Sequence, residues 1–207
     1  MKGLFVVFEG LTTSGKKTQI KLLTDKLREQ ERDVVNISFP SYGTQVGDLI
    51  KDWLAKRYVI DPKSMALLYA ADRAQYQNRI EEWLKKNWIV ISDRYCYSNI
   101  AYQSAMGLGR KWLIEIERPI IKPDIVFFID IPERVAEQRK AKQIGLGKFL
   151  GIEEKKKQET IGERIRREFL NLARNPPYKR KWFIIDGTKE VTYIQDQIWN
   201  IIKNELS

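Results

Sequence analysis

The segment Glu9 to Thr18, Glu-Gly-Leu-Thr-Thr-Ser-Gly-Lys-Lys-Thr, constrains the fold of this chain more than any other stretch. Gly10, Gly15 and Lys16 stand at the spacing of a phosphate-binding loop, in which small residues let consecutive backbone N–H groups turn inward around a polyphosphate. Context specifies such a loop better than its letters do. The apolar run Leu4 to Phe8 leads straight into it, and Ile20, Leu23 and Leu27 follow at helical spacing with polar residues between them. Strand, glycine turn and helix in that order aim a helix N-terminus and its unpaired N–H groups at an anion. A turn that only joins strand to helix and binds nothing is the alternative. The last defining position departs from the pattern, because Lys17 stands where a Ser or Thr hydroxyl would bind Mg²⁺. An ammonium has donors and no acceptor, so it cannot ligate a metal. Thr18 carries a hydroxyl but lies about 100° further round the helix.

Further apolar runs with strand character occur at Val34 to Ser38, Trp88 to Ser92, Ile125 to Asp130 and Trp182 to Ile185. Segments long enough for helices separate them. Val46, Leu49, Ile50, Trp53 and Leu54 mark one apolar helix face, Ile80, Trp83 and Leu84 end another, and Val191, Ile194, Ile198 and Ile201 predict a C-terminal helix packed back onto the sheet. Continuous Val/Ile/Phe runs are expected to be buried on both faces, and their alternation with helices indicates a parallel sheet in an α/β layer fold. Ligands in such sheets sit at the carboxyl ends of strands. No repeat, Pro/Gly linker or compositional break divides the 207 residues, so one domain over 1–207 is expected.

Charge and composition narrow the chemistry. The chain has no histidine, which excludes an imidazole base or metal ligand, and its lone Cys96 cannot form an internal disulfide, which suits a reducing, cytoplasmic compartment. The first apolar run is too short for a membrane span and passes directly into the loop, so neither a signal peptide nor an anchor is expected. The formal charge is +10, but the cations are scattered among Glu and Asp, which favours a phosphate-rich small ligand over nucleic acid. One cluster, Tyr178 to Trp182 with Lys179, Arg180 and Lys181 between the aromatics, keeps a nucleic-acid reading open. Lys140 to Lys157 is rich in Lys and interrupted by Gly145, Gly147 and Gly151. That composition describes a mobile flap closing over phosphates, and equally a solvated linker.

With the loop, Leu68 to Arg73 (Leu-Tyr-Ala-Ala-Asp-Arg), Asp93-Arg94-Tyr95 and Ser98 to Gln103 (Ser-Asn-Ile-Ala-Tyr-Gln), the chain resembles the thymidylate kinase family, in a bacterial or archaeal form with an atypical phosphate loop. Phe39-Pro40, Lys122-Pro123-Asp124, Arg139 after Asp130, and Ile185 to Thr188 match as well, so the resemblance runs from the N-terminus to the last helix. It implies a P-loop NTPase fold with a five-stranded parallel sheet flanked by helices, a phosphate loop at 9–18 and a mobile lid at about 140–157. It also implies a homodimer that transfers the ATP γ-phosphoryl group to dTMP with Mg²⁺, with no nucleic-acid or membrane partner.

The resemblance assigns roles residue by residue. Gly10, Leu11, Thr12, Thr13, Ser14, Gly15, Lys16, Lys17 and Thr18 would bind ATP, with Lys16 on the β- and γ-phosphates. Asp93 would help hold Mg²⁺ indirectly or orient the phosphates; Arg94 would bridge donor and acceptor phosphates. Tyr69 would stack on thymine and Arg73 would hydrogen-bond its edge, being four residues apart on one helix face. Phe39, Ser98 and Gln103 would also contact the acceptor, and Tyr102 would disfavour a ribose 2′-hydroxyl. Since Thr12 and Thr13 leave the loop without an arginine, the catalytic lid cation would come from Arg139, Lys140, Lys142 or Lys148, and its removal would lower kcat on the order of 10²-fold. Thr12 replaces an acidic residue of relatives, and Tyr42 falls where an arginine commonly contacts the acceptor phosphate. A divergent paralogue acting on another monophosphate and a nucleotide-binding regulatory protein remain the alternatives.

Overall fold

The computed structural model describes residues 3–143 and 159–206. Its centre is a sheet of strands β1 (Leu4–Glu9), β2 (Val34–Ser38), β3 (Ile89–Asp93), β4 (Ile125–Asp130) and β5 (Lys181–Asp186), in the order β2-β3-β1-β4-β5. Every pairing is parallel. This is the α/β architecture expected from the alternation of apolar runs and helical segments. β1 sits in the middle, so the loop that follows it is flanked by the carboxyl ends of β3 and β4, where an open parallel sheet holds its ligands.

Alternate side chains of β1 feed two cores. Phe5 and Val7 join α5 (Cys96–Ala105) and α8 (Ile161–Arg174) on one face. Leu4, Val6 and Phe8 join α1 (Lys16–Glu29) and α9 (Val191–Leu206) on the other. The central strands are buried throughout their apolar lengths, as continuous runs require. The edge strands differ from the expectation. β2 is only partly covered and Ile184 of β5 is 46% exposed, because an edge position leaves less of each strand under the flanking helices.

The remaining helices are α2 (Gln45–Leu54), α3 (Pro62–Ala74), α4 (Gln77–Lys85), α6 (Arg110–Ile116) and α7 (Glu133–Gln143). α2 starts at Thr44, whose side chain caps Gly47 N–H, and Asp61 caps α3 ahead of Pro62. The apolar face predicted on α2 is not all interior: Ile50 is buried, whereas Leu49 and Leu54 face outward. The predicted C-terminal helix packs through Ile194 and Ile198 as expected, whereas Ile201 is only partly buried, Ile202 is buried in addition, and Val191 is exposed at its first turn. Of Tyr178 to Trp182, the aromatics and Lys181 are engaged, whereas Lys179 and Arg180 are exposed. Trp182 meets Tyr97 edge-on at 4.7 Å, Tyr178 donates to the Ile114 carbonyl, and Lys181 pairs with Glu205.

Candidate active site

The phosphate loop is shaped by backbone that only certain residues adopt. Gly10 and Gly15 have φ of 145° and 107°, and Thr13 between them has φ 66°. A Cβ at Gly10 would lie 2.6 Å from the Ile129 carbonyl and 2.8 Å from Ser14 Oγ, so the chain can pass there only without a side chain. Gly15 has open space around it, and what it supplies is the positive φ. α1 then begins with no side-chain cap and no acidic residue in its first turn, which leaves its N–H groups and its positive dipole end for an external anion.

Lys16 is 5% exposed and folds back along the loop, donating to the carbonyls of Leu11 at 2.9 Å and Gly10 at 3.3 Å. Burial lowers its pKa to about 7, and the neighbouring Arg94 charge pushes the same way. A second buried ionisable group lies under the loop. Glu9, the last residue of β1, accepts from Tyr95 N–H at 2.9 Å, Ser98 N–H at 3.1 Å and Ser98 Oγ at 2.6 Å. Burial pushes its carboxyl up to about 7, opposed by the Ser98 hydrogen bond and the Arg94 charge. Glu9 therefore fastens the start of the phosphate loop to the start of α5. Its letter precedes the glycine in the sequence, but nothing local marks its partners.

Arg94 occupies the turn between β3 and α5 with φ 67°, its N–H on the Phe8 carbonyl. Its guanidinium donates to the Gly10 carbonyl at 3.0 Å and to Ser98 Oγ at 3.2 Å, and lies 5.3 Å from the centre of the Tyr102 ring. Burial opposes its charge, but Tyr102, Glu9 and Asp93 outweigh that and leave its pKa raised. Beside it, Asp93 Oδ1 is buried with no hydrogen-bond partner. Asp93 and Lys17 line one cleft of about 500 Å³ between α1 and the end of β2.

Across from the loop, Tyr69 of α3 is influenced by Tyr42, Arg73, Arg94 and Tyr102, so these groups share one neighbourhood. Burial, with Tyr42 next in effect, raises its phenol to about 12, which keeps it neutral. Ser98 and Tyr102 gather on Arg94, Ser98 being spent on Glu9, while Gln103 is buried on α5. Phe39 is 4% exposed and sits against Tyr76 and Tyr95, inside the core that backs the cleft.

Arg73 departs most from the sequence expectation. It is 2% exposed, and its Nε and Nη2 both donate to Glu117, a carboxylate with no exposure on the chain after α6. Asn99 completes the group by donating to Glu117 at 2.7 Å and to the Ala66 carbonyl at 3.0 Å, while its own Oδ1 is buried without a partner. Of the guanidinium, the Nη1 N–H groups and the second N–H of Nη2 are left for other partners. Sequence spacing places Arg73 on the Tyr69 face but does not reveal Glu117 or Asn99.

Arg139 lies on α7 with its guanidinium on backbone carbonyls: Thr13 at 3.4 Å, Ser14 at 3.2 Å and Gly187 at 2.8 Å. Thr13 Oγ answers by donating to the Ala136 carbonyl at 2.7 Å. Lys140 and Lys142 are exposed on the last turn of α7, and Lys148 lies outside the described residues. Nearer the sheet, Arg166 of α8 grips Asp130 with two bonds of 2.7 and 2.8 Å, a cation that sequence reading did not single out.

The arrangement is a glycine-turned loop at a helix N-terminus, with the Arg94 guanidinium between it and the aromatic neighbourhood of Tyr69 and Tyr102. Comparisons with known proteins agree in every direction. The sequence model of the thymidylate kinase family matches residues 8–198. A thymidylate kinase of Plasmodium falciparum is 33% identical over 95% of this chain and 88% of its own length. That of Thermosipho melanesiensis is 35% identical over 98% and 99%, and a probable thymidylate kinase of Pyrococcus abyssi is 34% identical over 100% and 98%. The solved structure of thymidylate kinase from Candida albicans superposes with a TM-score of 0.75 at 26% identity, covering 99% of this chain and 92% of that one. On these grounds, and with the loop, Arg94 and Tyr69 where they are, the chain belongs to the thymidylate kinase family.

Proposed function

We infer that the protein transfers the γ-phosphoryl group of ATP to dTMP, giving dTDP and ADP. The observation that carries this reading is the position of Arg94, held on the Gly10 carbonyl of the loop on one side and over the Tyr102 ring on the other. Phosphoryl transfer asks little covalent chemistry of the protein and depends on positioning and charge neutralisation. An oxygen of the dTMP phosphate forms the new bond to the γ-phosphorus, the bond to the bridging oxygen breaks, and the electron pair leaves with ADP. Neither oxygen needs a base to remove a proton, which suits a chain without histidine.

In this reading the N–H groups from Gly10 to Thr18 cradle the donor phosphates, and Lys16 exchanges the carbonyls of Gly10 and Leu11 for phosphate oxygens. Arg94 spreads charge between donor and acceptor. Tyr69 stacks on the pyrimidine, and Arg73, oriented by Glu117, offers its remaining edge to the base. Ser98 and Gln103 contact the pyrimidine, Tyr102 disfavours a ribose 2′-hydroxyl, and Phe39 supports that wall from within. Arg139 steadies the loop from behind through the Thr13 and Ser14 carbonyls.

Mg²⁺ fits the site through a single carboxylate. Asp93 offers a buried, unpartnered oxygen, whereas Lys17 offers no lone pair, and among the described residues no group of three or more metal-ligating side chains exists. One carboxylate completed by phosphates and water is a sufficient protein share for this ion. When bound, Mg²⁺ supplies positive charge to the phosphate oxygens. Asp93 would hold it, directly or through water.

The same reading includes one nucleoside monophosphate kinase domain over 1–207 and a lid at about 140–157, most of which, from residue 144 onward, lies outside the described residues. It also includes a homodimer, supported by outward apolar side chains on α2 and α3, with Leu54 and Leu67 each 49% exposed. A cytoplasmic location is supported by Cys96, a buried free thiol. Among the described residues no helix is long and apolar enough to cross a membrane. The deciding experiment is ADP release from ATP against a panel of nucleoside monophosphates, with product identified as dTDP. Turnover on dTMP ahead of the others is expected; ATP binding without turnover on any acceptor would overturn the assignment. Light scattering at several concentrations tests the dimer.

A further inference from the structure

Lys17 has no task in the transfer described above except through its backbone. Its side chain is exposed on the second position of α1, and among the described residues no hydrogen bond or ion pair holds it. It lines the cleft that also contains Asp93, Ser38, Ile20 and Lys21. The charge thus enters the space beside Asp93, whose Oδ1 is unpartnered, while the other carboxylate of the cleft, Asp25, is paired with Lys21; Lys17 stands at the helix position from which a loop hydroxyl would have reached the metal. Its charge is also felt at Lys16, where it adds to the lowering of that pKa, so both cations act on the same region.

A hydroxyl at this position gives a lone pair to a divalent cation and carries no charge of its own. Lys17 reverses both properties. It gives up one metal ligand and fixes a positive charge covalently at the mouth of the cradle, where a polyphosphate brings several negative charges. We propose that Lys17 takes over part of the divalent cation's charge on the donor phosphates, so that ATP binding to this chain responds weakly to Mg²⁺. The proposal rests on the loop being the ATP site, as the functional reading holds.

The test is ATP affinity by titration calorimetry on the full chain without acceptor, once with Mg²⁺ and once with EDTA. The parent is expected to change its ATP Kd less than about threefold between the two conditions, while Lys17→Thr binds about tenfold or more tightly with Mg²⁺ than without it. Lys17→Met separates charge from ligation. It should lose about tenfold in affinity under EDTA without gaining the metal response of the threonine variant. Lys85→Ala, on α4 away from this cleft and paired with Glu81, should keep the parent's ratio. A parent that tightens tenfold or more with Mg²⁺, or Lys17 variants that bind ATP under EDTA as tightly as the parent, would overturn the proposal. The readout is independent of the acceptor panel: ATP bound with no turnover removes the kinase reading and leaves the role of Lys17 to be decided by these titrations.

Discussion

Arg73 and Glu117, 44 residues apart, form an ion pair with 2% and 0% side-chain exposure, joining α3 to the end of α6. Burial disfavours the guanidinium charge, and Glu117 more than restores it. Removing one partner strands the other in a dry site, so Glu117→Ala should destabilise the fold by about 3–5 kcal/mol. The paired replacement Arg73→Met with Glu117→Leu should recover most of that loss, since a well-packed apolar pair often equals a buried ion pair in stability. If Arg73 also meets the base, the double variant folds normally yet retains a raised KM for dTMP. Denaturant unfolding and acceptor kinetics on both variants check the two halves separately.

Lys16 and Glu9 titrate near neutrality from opposite sides. Glu9, raised from 4.5 to about 7 by burial, holds more proton folded than unfolded between those values, so its contribution to stability falls as pH rises through that window. Lys16, lowered from 10.5 to about 7, holds less proton folded than unfolded above 7, so its contribution rises with pH from there to the unfolded value. Subtracting the pH profile of Glu9→Gln from that of the parent should isolate the falling limb, and Lys16→Met the rising one. Phosphates restore the charge on Lys16, so ATP binding at about pH 8 should take up a proton. Calorimetry in buffers of different ionisation heat reads that uptake, and its absence would contradict the assignment to Lys16.

Gly10 and Gly15 should fail in different ways when given a methyl group. Gly10→Ala meets the Ile129 carbonyl and Ser14 Oγ as well as an unfavourable φ, so both stability and catalysis suffer. A loss of about 1–3 kcal/mol and about 100-fold in kcat/KM is expected. Gly15→Ala meets no atom and should cost only about 1–2 kcal/mol from its backbone angle. Thermal unfolding with parallel kinetics distinguishes them. Equal effects would mean that collision at Gly10 is relieved by movement of β4.

What was legible in the sequence was whatever local backbone or a short repeat determines. The loop glycines announce themselves because a positive φ and close approach exclude other residues, and the central strands do so because burial on both faces forces an unbroken apolar run. Tyr69 and Arg73 could be placed on one face from helical spacing alone. Spacing cannot say where the Arg73 guanidinium points, because that is decided by Glu117 and Asn99, which arrive from other elements. Glu9 is similar: its letter is visible, but its role as acceptor for Tyr95 and Ser98 depends on β1 lying beside β3 in the sheet. Leu49 and Leu54 belong to a helical apolar face, yet the sequence does not indicate whether such a face meets the core or the outside.

Arg139 offers the sharpest separation between a catalytic and a positioning cation. Its guanidinium ties the carbonyls of Thr13 and Ser14, on the outer side of the phosphate loop, to Gly187 after β5. Those carbonyls turn toward Arg139, and in the proposed function the N–H groups of the loop serve the donor. A group that acts this way shapes the ground-state cradle as much as the transition state. Arg139→Ala should therefore raise KM for ATP by about tenfold or more, with the KM for dTMP unchanged and a smaller fall in kcat. Arg139→Lys should recover little, because one ammonium cannot span the carbonyls that a planar fork reaches together. A fall in kcat of about 100-fold at constant KM for ATP would instead mean that Arg139 leaves the carbonyls and meets the transferring phosphoryl group in the transition state.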